Sequence, residues 1–278
     1  MQKRRVVKTD STTVPMIQPR GELAALLSAH YPKTRLSDMV LDTKVNQRLK
    51  RIIKEQRQRD KIQAYGLSPR RKLLLLGPPG TGKTMTASAL AGELSLPLFV
   101  IRMDGIINKF MGETSAKLRI VFDAVKQNKG VYLFDEFDSI GSTRNSGNDV
   151  GEIRRILNSF LQYIEIDDSG SIILAATNHP EILDYALFRR FDDVIDYFLP
   201  NKKNRMELIK NKLANAPIDD LSWDQLSTMS NGLSYAELEH SCEDSIKEMI
   251  VNNLKIITQK NILKKFKERK VYHKRIMP

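Results

Sequence analysis

The chain has 278 residues, 41% of them apolar and 28% charged, which fits one large globular domain or a large one followed by a small one. No apolar run approaches the roughly 20 residues of a membrane-spanning helix, and the basic start (Lys3, Arg4, Arg5, Lys8) runs into Thr9-Asp10-Ser11-Thr12-Thr13 where a signal peptide needs an apolar stretch. One cysteine, Cys242, excludes an intrachain disulfide and a cysteine-clustered metal site, and makes a reducing cytoplasm the expected compartment.

The net charge of +12 sits at the ends: +4 in residues 1–20, +8 in residues 255–278, and zero between them. Such ends are either solvated tails or contacts for nucleic acid or an acidic partner. Residues 1–21, with Pro15, Pro19 and Gly21 among polar residues, read as a flexible arm. Residues 22–30 and 44–64 read as helices, the second with Val45, Leu49, Ile52 and Ile53 at helical spacing. From residue 72 short, nearly all-apolar runs follow at Lys72–Leu76, Leu98–Arg102, Val131–Phe134, Ile172–Ala176 and Val194–Phe198. Helical segments at 83–94, 114–128 and 150–165 separate them. This alternation predicts an α/β fold: a five-stranded parallel sheet flanked by helices. After Leu199-Pro200-Asn201 only helices are expected, at 202–214, 222–229, 234–252 and 259–270. The expected division is an arm with a short helix (1–35), a large α/β part (36–200), a small all-α lid (201–254) and a basic C-terminal helix or tail (255–278).

Gly77-Pro78-Pro79-Gly80-Thr81-Gly82-Lys83-Thr84, followed by Met85, lies directly after the first apolar run and opens a helix. This is the P-loop (Walker A) pattern in the context it requires. Glycines let backbone N–H groups curl around phosphate oxygens, and the helix N-terminus adds partial positive charge. Lys83 would reach the β- and γ-phosphates, and Thr84 would set its hydroxyl on Mg²⁺. The expected ligands are therefore ATP and Mg²⁺. Val131–Phe134 carries Asp135 and Glu136 to the sheet edge where phosphates bind. Asp135 would hold the metal's hydration shell, and Glu136 would orient and deprotonate the attacking water. The run ending Ala175-Ala176-Thr177 presents Asn178, an amide suited to the γ-phosphate or the water.

Together with these motifs, Phe134-Asp135-Glu136-Phe137-Asp138-Ser139-Ile140, Ala176-Thr177-Asn178-His179-Pro180 and Leu187-Phe188-Arg189-Arg190-Phe191-Asp192 resemble an AAA ATPase module over about 36–250. The paired arginines are similar to those of the meiotic clade, which includes katanin and spastin. The resemblance implies that Arg189 and Arg190 reach the nucleotide of a neighbouring subunit, so that a ring, usually a hexamer, completes the enzyme. It also implies that Lys109-Phe110-Met111-Gly112 is the first pore loop and 141–151 the second, with the adenine near Met39–Asp42. Gly232-Leu233-Ser234-Tyr235-Ala236-Glu237-Leu238 resembles the family's lid stretch, but Tyr235 replaces a glycine and Glu237 an aspartate. His179 replaces a common arginine and is assigned no role. The expected function is an ATP-hydrolysing ring motor that remodels or threads a protein substrate. A nucleic-acid-associated switch that uses the basic ends is the alternative.

Overall fold

The N-terminal part starts with a short helix, α1 (Glu22–Leu26), then β1 (Leu27–His30), α2 (Thr43–Arg57) and α3 (Arg59–Gln63). In the computed structural model, which describes residues 19–106, 113–138, 149–183 and 185–276, the α/β alternation then follows. It comprises β2 (Lys72–Leu76), α4 (Lys83–Leu94), β3 (Leu98–Ile101), α5 (Met103–Ile106), α6 (Glu113–Gln127) and β4 (Val131–Phe134). It continues with α7 (Asp149–Ile166), β5 (Ile172–Thr177), α8 (Tyr185–Phe188) and β6 (Asp193–Asp196). Four helices close the chain: α9 (Lys202–Leu213), α10 (Trp223–Met229), α11 (Tyr235–Val251) and α12 (Gln259–Ile276).

The sheet order is β1-β3-β4-β5-β2-β6. The five expected strands are all parallel to one another. Their side chains alternate between two cores, as a strand buried on both faces requires. Leu74, Tyr132, Phe134 and Ile173 face one side, where Phe122 of α6 and Phe160 of α7 cover them. Leu73, Leu75, Leu133 and Leu174 face the other, under Leu49 and Ile52 of α2 and Leu90 of α4.

A sixth strand corrects the helix expected over 22–30. Helix α1 stops at Leu26, and Leu27–His30 pairs antiparallel with β3, Leu27 opposite Ile101. The open edge of β3 supplies a hydrogen-bonding partner that local propensity does not register. The helix expected over 44–64 is divided at Gln58, whose φ of −106° and ψ of 22° depart from helical values. The apolar stripe on its first part is buried as its spacing predicts.

The C-terminal helices surround a third core that includes Leu208, Ile209, Leu226, Leu238 and Cys242. Ile262 and Phe266 of α12 belong to it, 0% and 1% exposed, so the last helix packs with the three before it. Val40 packs against this core, while its neighbours Met39 and Leu41 pack against the sheet. The segment before α2 thus runs along the seam between sheet and C-terminal helices. Among the described residues, no helix is long and apolar enough to cross a membrane.

Candidate nucleotide site

All parallel strands end on one side of the sheet, and the loops leaving β2, β4 and β5 meet there. The turn after β2 is shaped by Gly77, Gly80 and Gly82, with φ of 139°, 71° and 100°. Two of these positions also tolerate no side chain: a Cβ on Gly77 would run into the Tyr197 carbonyl, and one on Gly80 would lie 2.7 Å from Ser234 Oγ. Thr81 is buried, and its hydroxyl donates to the Pro78 carbonyl at 2.7 Å, closing the loop on itself.

Lys83 opens α4 with its ammonium among acceptors only. It donates to Gly77 O (2.7 Å), Pro78 O (2.9 Å) and Asn178 Oδ1 (2.7 Å). Burial lowers its pKa from the ordinary lysine value, and the carboxylates of Asp135 and Asp138 oppose that fall. Thr84 Oγ1 donates to Asp135 Oδ2 at 2.6 Å. The hydroxyl and the carboxylate expected to share a cation are therefore already adjacent, and both are the hard oxygen donors that Mg²⁺ takes. Glu136 follows with φ of 50°, left-handed backbone for a non-glycine residue, and its N–H donates to Asp135 Oδ1 at 3.0 Å. A cleft of about 360 Å³ is lined by loop residues Pro79, Gly80 and Gly82, by Lys83, Thr84 and Met85, and by Asp135, Glu136 and Asn178. Ala236 and Glu239 of α11 complete it. Its donors and acceptors fit a magnesium–triphosphate group: glycine-loop N–H groups, one ammonium, a hydroxyl–carboxylate pair and an amide.

Several supporting residues escape sequence reading. Asp138 accepts from the Asn178 N–H at 3.2 Å and so ties β5 to the turn after β4. Phe137, between the acids, is fully buried, and its N–H donates to Ala176 O at 2.9 Å. Tyr197, at the end of the last strand, shares a 2.6 Å hydrogen bond with Thr86 of α4. Only the acidic run at 135–138 carried any trace of these partnerships. His179 pairs with Glu181 at 2.9 Å.

The paired arginines lie at the other end of the sheet. Arg189 is exposed, and Arg190 Nε donates to Glu165 Oε2, near the end of α7, at 3.2 Å. Asp192, two residues on, accepts from the N–H groups of Arg71 and Lys72, where β2 begins. Arg189 and Arg190 therefore sit where parallel strands start, and Lys83, Thr84, Asp135 and Asn178 where they end. A strand of five residues separates these edges by about 17 Å. Lys109, Phe110, Met111 and Gly112, and residues 141–148 of the second expected loop, lie outside the described residues.

The family model described as "ATPase family associated with various cellular activities (AAA)" matches residues 73–199. Among solved structures, the FIGL-1 AAA domain superposes with a TM-score of 0.70 at 23% identity, covering 87% of this chain and 85% of that one, which bears on the fold. The chain is 33% identical over 235 residues to the ATP-dependent zinc metalloprotease FtsH of Halothermothrix orenii. It is 35% identical over 260 residues to that of Helicobacter felis. These matches cover 81% and 87% of this chain but only 37% and 40% of the two relatives. An uncharacterised AAA family ATPase of Sinorhizobium fredii, y4kL, is 33% identical over 259 residues. That match takes in 92% of this chain and 78% of y4kL, and with it the chain belongs to the AAA family of ATPases, enzymes that hydrolyse ATP.

Proposed function

We propose that the chain is the subunit of a ring, a hexamer by family resemblance, that uses ATP and Mg²⁺ to remodel a protein in a reducing cytoplasm. Lys83 and the glycine loop bind the phosphates, Thr84 and Asp135 hold the metal, and Bronsted base Glu136 takes a proton from the attacking water. Asn178 would hold that water or the γ-phosphate. The observation that carries the ring is the position of Arg189 and Arg190. Separated from their own phosphate loop by the length of the sheet, they serve the cleft of the next subunit. A guanidinium supplied in that way is worth about 10³–10⁵ in rate. The FtsH relatives, whose name includes ATP-dependent proteolysis, support a protein as the substrate. Phe110 and Met111 supply the apolar grip at the pore.

Part of the charge of the basic C-terminal helix is engaged within the molecule. Lys264 and Lys265 pair with Glu248 at 3.2 and 2.6 Å, and Arg269 pairs with Asp244 at 2.8 Å. Three basic side chains of α12 are thus paired with α11.

Mixing two inactive variants tests the ring. Lys83→Ala keeps its arginines and loses its phosphate grip; Arg189→Ala/Arg190→Ala does the reverse. Mixed assemblies contain interfaces with both intact halves, so ATP turnover should reappear on mixing and depend on protein concentration. Turnover that stays at the sum of the separate variants rules out arginines acting in trans.

A further inference from the structure

The phosphate loop is held at two points by the part of the chain that follows the sheet. At its start, Gly77 rests against the Tyr197 backbone, and Tyr197 N donates to Leu76 O at 2.6 Å. At its middle, Gly80 O accepts from Ala236 N at 3.1 Å, and Ser234 Oγ sits where a Gly80 side chain would be. The chain between Tyr197 and Ala236 joins these two points. It passes through the linker 198–201 into α9, where Asn201 accepts from Asn204 N at 2.9 Å and caps the helix. Arg205, buried, donates to Pro200 O and to Ser227 O, both at 2.7 Å, and fixes the linker against α10. From α9 the Asn204 side-chain N–H donates across to the Tyr235 hydroxyl at 2.9 Å. Tyr235 stands between Ser234 and Ala236, the two residues that touch Gly80.

These contacts form a closed circuit: Gly77, Tyr197, linker, Asn204, Tyr235, Ala236, Gly80. The Ser234–Glu237 capping box makes the start of α11 rigid, with Ser234 N and Oγ both 2.8 Å from Glu237 Oε2. A rigid helix start tied by a side-chain bond to the first turn of α9 has its seat on Gly80 fixed at the same time. Asn204 is only 6% exposed, so its amide loses a partner that water does not readily replace if the tyrosine hydroxyl is removed.

We infer that the hydrogen bond from Asn204 to Tyr235 is a positioning device, which seats the N-terminus of α11 on the phosphate loop and thereby sets how tightly the cleft holds nucleotide. Tyr235 acts through Ser234 and Ala236. The inference rests on ATP hydrolysis in this cleft and is independent of the ring and its substrate.

Tyr235→Phe keeps the ring and removes only the hydroxyl, and Asn204→Leu keeps the volume and removes the amide. Binding of a fluorescent ADP analogue, steady-state ATP turnover and thermal unfolding without nucleotide are measured for each single variant and for the pair. The expected result is a rise of about fivefold in Kd and KM, the worth of one neutral hydrogen bond, with kcat within about twofold of wild type. The double variant should lose no more than the weaker single variant, because both remove the same bond. Wild-type Kd in Tyr235→Phe overturns the inference. So do losses that add in the double variant, and so does a lowered unfolding midpoint with unchanged Kd, the mark of a residue that only stabilises the helices.

Discussion

Glu136 occupies left-handed backbone at φ 50°, one residue beyond a strand whose residues are fully buried. Such a conformation costs a non-glycine residue on the order of 1–3 kcal/mol and persists only when its surroundings enforce it. Here the enforcement is visible: Asp135 takes the Glu136 N–H, and Phe137, anchored in the core, holds the chain on the other side. The turn directs two successive carboxylates to one cleft, Asp135 toward Thr84 and Glu136 into the opening. Glu136→Gln preserves this backbone and removes the base. It should bind ATP about as well as wild type and lose turnover by 10²-fold or more. Phosphate release beside nucleotide binding reads both, and normal turnover in that variant removes Glu136 from the role of base.

At the scale of elements, α12 is a structural helix whose charge disguises it. Phe266→Ala empties a site that is 1% exposed and should cost about 3–4 kcal/mol in denaturant unfolding. Tyr272→Ala on the same helix, 58% exposed, should cost no more than about 0.5 kcal/mol. Equal small losses would mean that α12 is not part of the core in solution. The contrast also explains what the sequence reveals. Runs such as Leu73–Leu76 and Val131–Phe134 announce buried strands because both faces of a central parallel strand must be apolar. The stripe Val45, Leu49, Ile52, Ile53 announces the face that α2 buries. Strand β1 gives no such sign, since Leu27–His30 becomes a strand only through the edge of β3. The glycine loop and the acids at 135–136 are legible because their chemistry demands a fixed spacing. Tyr197, Asp138 and Asn204 are not, because each gains its part from a segment far away in the chain.

For the whole molecule, the proposed motor separates fuel from work. Phe110 belongs to the stretch after α5, well removed in sequence from both Lys83 and Glu136. Phe110→Ala should leave ATP turnover within a few-fold of wild type and abolish remodelling of a bound protein, whereas Phe110→Tyr, which keeps a ring, should retain most of it. Unchanged remodelling in a folded Phe110→Ala assembly excludes threading past this residue; an unfolded variant assigns Phe110 to the core.

Both borders of the sheet are four residues long. One border is β1, followed two residues later by Pro32, which has no N–H to offer a further strand. The other is β6, with an aspartate at its first and last positions. Short strands, proline and charge are the means by which sheets avoid fusing with their neighbours. Subunits of the proposed ring, held at high local concentration, would therefore gain little from adding strand to strand, the route that leads to fibres. A sheet with blunted borders leaves association to the helices and loops around it, and an assembly built that way can close on itself and come apart again without its subunits aggregating.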